Sequence, residues 1–389
     1  MDELRTVKEA YGEPAPPTLR EVTEARVRMF GEPPPGRARF GWRFKAGFGV
    51  VVAGAAAAVA IAATGSGRPA SPPAPVDLGK QAVLAAAEQA EVQPTGNFWF
   101  YHGTMGRSFI VRSETGDYAI AAAPEEYFLR VGAEPGAGVG TYNRNLPSRP
   151  LTAQDEALWK KAGSPSKFKV WDGERLSTYD QSATRWRFWE PARKGDGGWV
   201  GGRTLEEAER LPTDPGELAD LLSTGLLHFH LRAPEEKEKI KKERGIPEPR
   251  SVTPLDKLTV VAALLRTSPM PPTFRAGLMR ALAAQPGVKA IDGVTDPLGR
   301  EGVALAVDLK TTHVTAAQGA PAAERGDYGS RKEIVFDERT GEMLAVQTVL
   351  TRPGGPYRDR EPGFVIRFRL ALDSGWTDTK PKPPAKPPF

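Results

Sequence analysis

Residues 97–131 read NFWFYHGTMGRSFIVRSETGDYAIAAAPEEYFLRV. Residues 97–102, 107–113, 118–122 and 127–131 are short aromatic and β-branched runs separated by Gly or Pro, the texture of a meander of antiparallel strands. Further runs follow at 168–171 and 184–189. In the second, Arg185 and Arg187 alternate with Trp186 and Phe188, the period-two pattern of a half-buried strand. Strand texture returns beyond Val288, at 303–309, 333–337, 343–350 and 364–372. Residues 336–343 (FDERTGEM) read as a hairpin in which Gly341 supplies the positive φ of a type I turn with a bulge.

Between the two sets of strands the pattern is helical. Helices are expected at 78–90 and near 155–162. In 211–217 (LPTDPGE) Asp214 can cap, Pro215 fits the first helical position and Glu217 completes a capping box, predicting a helix to about Thr224. Leu258, Val261, Ala262 and Leu265 form an apolar stripe ended by the Pro-rich run 268–272, and Phe274, Leu278 and Leu282 form another. Residues 233–250 (APEEKEKIKKERGIPEPR) carry almost nothing to bury and read as a solvated helix or mobile insertion. The expected fold class is α+β: an antiparallel β-sheet, open and half-barrel-like, with a central helical insert, spanning residues 78–376. The final residues, 377–389, hold five prolines and three lysines, the composition of a disordered tail.

Upstream of this domain, residues 46–64 (AGFGVVVAGAAAAVAIAAT) are 19 residues without a charge. At about 1.5 Å of rise per residue they cover roughly a 30 Å hydrocarbon core, which predicts one N-terminal transmembrane helix. Arg37, Arg39, Arg43 and Lys45 crowd its N-terminal flank, whereas between Gly65 and Gly79 only Arg68 is basic. The positive-inside rule then puts residues 1–45 in the cytoplasm and the bulk of the chain outside, as a single-pass signal anchor of the cell membrane. A cleaved secretory signal is the competing reading, from the small residues Ala60 and Ala62. A leading region of 45 residues is far longer than the basic head of such a signal. In the cytoplasmic tail, Leu19, Val22, Ala25 and Met29 recur at helical spacing behind Thr18, a short amphipathic helix. Residues 65–77 are a Pro/Ser/Gly linker.

Composition bounds the chemistry. The 53 basic and 48 acidic residues give a net charge of +5 on 389 residues, no footprint for nucleic acid. With no cysteine, disulfides, thiolate metal sites and thiol nucleophiles are excluded, as is lipid attachment through an N-terminal cysteine. His228 and His230 would share a face on a strand, but lack a third ligand nearby. No Gly-x-Ser-x-Gly elbow occurs, and 132–140 (GAEPGAGVG) lacks the ending of a phosphate loop and reads as a flexible loop. Neither an enzyme, a cofactor nor a metal site is expected.

The most informative candidates are the aromatics Phe98, Trp99, Phe100, Tyr101, Trp171, Trp186, Phe188 and Trp189. Most such residues fill cores. Alternation nevertheless sends half of each run to the opposite face, so this sheet either packs helices on both sides or lines a groove.

Residues 14–30 (PAPPTLREVTEARVRMF), 211–222 (LPTDPGELADLL), 264–288 (LLRTSPMPPTFRAGLMRALAAQPGV) and 336–345 (FDERTGEMLA), with their order along the chain, resemble an actinobacterial single-pass membrane-anchored family of unknown function. The resemblance implies a tethered extracytoplasmic domain and brings no catalytic residues. In outline the strands around a helical insert are similar to the β half-barrels of periplasmic lipoprotein carriers and of sensors that bind anti-sigma factors. The resulting expectation is an extracytoplasmic binding or sensing domain for a lipid-like ligand or partner protein. The alternative is a transmembrane regulator whose cytoplasmic tail binds an extracytoplasmic-function sigma factor.

Overall fold

A computed structural model describes residues 78–189, 197–232 and 234–388. The anticipated cytoplasmic helix, membrane span and linker lie outside the described residues. Among those described, no helix is long and apolar enough to cross a membrane.

The fold is α+β, built on one large antiparallel sheet. Strand β1 (Phe98–Val111) pairs with β2 (Tyr118–Gly132), and β2 pairs with β3 (Val139–Asn145) and with the short β4 (Arg149–Pro150). Helix α1 (Leu78–Glu91) precedes them and α2 (Ala153–Lys161) follows. A separate hairpin is formed by β5 (Lys167–Trp171) and β6 (Leu176–Asp180), and β7 (Arg187–Trp189) joins the edge at β3. The insert holds α3 (Leu205–Glu209), α4 (Pro215–Ser223), α5 (Leu227–His230), α6 (Pro234–Arg244), α7 (Pro254–Thr267) and α8 (Pro272–Ala283). The second half comprises β8 (Lys289–Thr295), β9 (Glu301–Asp308), β10 (Thr312–Val314), β11 (Gly326–Phe336), β12 (Met343–Arg352) and β13 (Val365–Thr377). The order β7-β3-β2-β1-β13-β12-β11-β9-β8 joins the two halves through β1 and β13.

Sequence punctuation was partly misleading here. The runs expected as four strands are two long ones, because Gly103, Gly106 and Pro124 fall inside strands and not between them. The β1–β2 register shifts between Met105 and Arg107, so these residues mark a bulge. At Gly103 a Cβ would stand 2.5 Å from the Tyr101 ring and from the Leu370 carbonyl. That bare backbone lets Tyr101 and Tyr127 stack at 5.4 Å. The supposed flexible loop after Gly132 is a hairpin turn leading into β3, which the glycines concealed.

One face of the sheet carries the helices. Trp99, Tyr101, Tyr127, Val131, Leu305, Ile334 and Phe336 form a continuous core with α1, α4, α7 and α8. Phe274, Leu278 and Leu282 of α8 are fully buried, each removal from water contributing roughly 1.5–3 kcal/mol. Asp214 caps α4 by accepting the Glu217 N–H at 2.9 Å, and Pro215 holds the first helical position, as the sequence predicts. Further along the same face, the β5–β6 hairpin covers Phe109, Val111, Tyr118 and Ile120 with Phe168 and Val170. The charged run resolves into α6, almost wholly exposed.

His228 and His230 stand on the one-turn helix α5. Positions two apart diverge by about 200° on a helix, so the shared face considered for a strand does not arise.

The β11–β12 turn pins the sheet to α1. Gly341 has φ of +69°, and its N–H donates to the Asp337 carbonyl at 2.8 Å. A Cβ there would lie 2.2 Å from the Ala86 carbonyl oxygen of α1. Gly341→Ala is therefore expected to cost about 3 kcal/mol, more than the left-handed backbone alone would, since α1 must retreat from the sheet. Urea unfolding of the two proteins checks this; a loss under 1 kcal/mol would mean that α1 is not held at this turn.

Candidate functional site

The aromatics singled out from the sequence separate by parity. Trp99 and Tyr101 are 2% and 1% exposed beneath the helices. Phe98 and Phe100, one residue out of phase, occupy the opposite face and are half-buried. Trp171, at the end of β5, is buried in the small hairpin and belongs to neither group. Trp189 pairs with Thr141 through the backbone, and its side chain lies outside the described residues. Trp186 and Phe188 reach the face of Phe100, where Phe188 is 49% exposed, not half-buried as the alternation suggests.

That face holds an aromatic ladder across four strands. Phe100 stacks on Phe128 at 5.9 Å, Phe128 meets Tyr142 edge-on at 6.1 Å, and Tyr142 lies 4.6 Å from Phe188. Phe128, Tyr142 and two arginines were not anticipated. β3 reads poorly in sequence because Tyr142 and Arg144 alternate with Thr141 and Asn143 behind a glycine-rich turn. Arg130 lies over the Tyr142 ring at 5.5 Å, and Arg144 over the Trp186 ring at 4.4 Å.

Arg144 is fixed from below. Its Nε donates to Glu126 at 2.6 Å, while His102 Nε2 approaches the other Glu126 oxygen at 2.8 Å. Glu126 is fully buried. Burial alone would raise its pKa, but the hydrogen bonds from His102 and Arg144 outweigh it and hold the carboxyl below the usual range. Opposite His102 on β13, burial raises the Asp373 carboxyl, an effect that His102 opposes.

The last residues run across this ladder. Composition suggested disorder beyond Thr377; instead Arg130 Nη1 donates to the Pro381 carbonyl at 3.4 Å and Trp186 Nε1 to that of Pro384 at 2.9 Å. Arg144 donates to the carbonyls of Ala385 and Lys386 at 3.3 and 2.8 Å.

On the helix face, a second site lies between α7 and the β5–β6 hairpin. Cross-strand partners there run Arg107–Arg367–Thr348–Lys332 over β1, β13, β12 and β11. The next row of the same face, Met105–Arg369–Val346–Ile334, adds another guanidinium. Two cavities of about 350 and 330 Å³ meet at Arg367 and Arg369. Their linings hold five cations (Arg107, Arg266, Lys332, Arg367, Arg369) and one carboxylate, Glu125. Phe109, Tyr179 and Met105 supply apolar walls. Partial burial, then the adjacent Arg107, lowers the pKa of Arg367; burial followed by Arg369 and Arg367 lowers that of Lys332. A further cavity of about 350 Å³ beside α4 and α7 contains Lys257. There Ser223 and Gln285 already accept from its ammonium at 3.2 and 2.7 Å.

Fold and site together define an α+β domain with one aromatic and one cationic surface on opposite faces of a single sheet. No protein-family model, curated protein or solved structure matches the chain.

Replacing Glu126 by Gln should cost about 3 kcal/mol, because the buried Arg144 loses its counter-charge. The depressed Glu126 pKa also fixes a sign. Its stabilisation is complete above the unfolded carboxyl's ordinary value of about 4.3 and disappears as pH falls through the lower folded value. Denaturation measured from pH 7 to pH 2 should show a smaller acid loss in Glu126→Gln than in the native chain, because the other depressed carboxyls, such as Asp172, titrate in both.

Proposed function

We propose that this chain is a membrane-anchored extracytoplasmic binding domain, in which an open half-barrel takes a lipid-like anion into the cationic cleft. The supporting observation is the direct cross-strand pairing of Arg107 with Arg367. Like charges placed opposite on a sheet destabilise it by roughly 0.2–1 kcal/mol, so the row works against folding unless an anion neutralises it. Guanidinium groups favour phosphate and carboxylate heads through bidentate hydrogen bonds. The adjoining Phe109 and Tyr179 offer apolar contact for a chain attached to such a head. Cavities of this size fall at the lower end of those that bind small molecules.

Residues 46–64 would anchor the proposed domain and residues 65–77 hold it off the bilayer. The regulator reading turns on residues 19–29, which lie outside the described residues.

The test uses monododecyl phosphate and inorganic phosphate as probes on the full-length chain. At a concentration about 100 times Kd, a specific ligand adds about 2.7 kcal/mol to stability. The alkyl phosphate is expected to raise Tm and inorganic phosphate to do so far less. Arg367→Gln should weaken alkyl phosphate binding at least about tenfold while stabilising the free chain by about 0.5 kcal/mol, through relief of the like-charge pair. Equal responses to the two probes would reduce the site to a simple anion site, and no response to either would sink the proposal. For the anchor, protease added to intact cells should degrade residues 78–388, and protection of that region would reverse the topology.

A further inference from the structure

We infer that the aromatic face is a binding site for extended proline-rich peptide, and that residues 380–388 (KPKPPAKPP) occupy it as an intramolecular ligand. This site lies on the face opposite the cationic cleft and shares no residue with it.

Proline chemistry dictates the form of recognition. A proline has no N–H and fixes φ near −65°, and the residue before it is driven to extended conformations. A segment with Pro381, Pro383, Pro384, Pro387 and Pro388 therefore cannot pair as a strand; it offers carbonyl oxygens, and its backbone is extended in advance. A surface that reads such a segment needs donors aimed at carbonyls and flat apolar rings between them, the arrangement of known polyproline grooves. The face supplies both. Three side chains, Arg130, Arg144 and Trp186, donate to four tail carbonyls. The carbonyls of Pro381 and Pro384 take their bonds three residues apart, one turn of polyproline helix.

The donors are prepared in advance. Arg144 is held by the buried Glu126 carboxylate and by the Trp186 ring. Arg130 lies against the rings of Tyr142 and Phe188. Guanidinium groups immobilised in this way lose little rotamer freedom on receiving a ligand, so the site is organised before the tail arrives. The half-buried Trp186 indole, whose N–H reaches a proline carbonyl at 2.9 Å, completes it.

The tether from the end of β13 to Pro381 is three residues long. An intramolecular ligand on so short a connection has an effective concentration on the order of 1 mM. The tail thus competes with any proline-rich segment from another chain, which binds when the tail is displaced or disabled.

The absence of cysteine allows one label on the full-length chain. Bimane attached through Lys386→Cys, whose native side chain is exposed, should be quenched by Trp186 and brighten in Trp186→Phe. Added KPKPPAKPP peptide should restore the fluorescence of the labelled chain, and a peptide of the same length with alanine for every proline should not. In an unlabelled full-length chain carrying Pro381→Ala, Pro383→Ala and Pro384→Ala, fluorescein-labelled KPKPPAKPP should bind at least about tenfold more tightly than to the native chain. Fluorescence indifferent to Trp186→Phe would overturn the seat of the tail. Equal displacement by both peptides, or by neither, would overturn proline recognition. Unchanged melting of each variant separates these outcomes from unfolding.

Discussion

Strands β1 and β13, from opposite ends of the domain, pair side by side and close the two halves into one sheet. The pairing runs from Phe98 opposite Thr377 to Arg107 opposite Arg367, with one irregularity after His102. Through it the N-terminal strands and the C-terminal strands become one sheet, and the helical insert is returned to a single face. A slip of one residue would exchange the faces of every side chain on β13. Leu370 would then meet the helix face, and Arg369 the interior of the other. Gly103 and the bulge before Arg107 hold the register where two tyrosines and a neighbouring carbonyl leave no room for a Cβ.

From that one register follow two surfaces of opposite chemistry. On the helix face, the apolar layer under α1, α7 and α8 gives way to a cross-strand row of cations before the β5–β6 hairpin covers the sheet again. Repulsion in the row is a local cost in a domain otherwise closed by apolar packing. On the other face, alternation brings Phe100, Phe128, Tyr142 and Phe188 into a ladder, and a buried carboxylate orients the arginine above it. Neither surface requires a residue from the other, so occupancy of each can vary separately.

The C-terminal segment shows how composition and contact differ in what they specify. Proline and lysine bury little apolar area and form no ladder of their own, which is why such segments are commonly unstructured. Here the missing partners are provided by side chains: indole and guanidinium donors take up carbonyls that no strand would have reached. Order in the tail is a property of the surface beneath it.

What the residues themselves determined is local. Caps and stripes placed α4, α7 and α8, period-two texture placed most strands, and Gly341 marked its turn, because these depend on neighbours within a few positions. The split of Phe98–Phe100 from Trp99–Tyr101 was also legible, since parity on a strand needs only counting. Tertiary structure alone decided which glycines and Pro124 lay inside strands, that β3 exists, and which face belongs to helices. It alone set Arg107 against Arg367, Arg144 on Glu126, and the tail across Trp186. These contacts join positions far apart in the chain, and register across a sheet is set by the packing of all its strands together, which no single segment encodes.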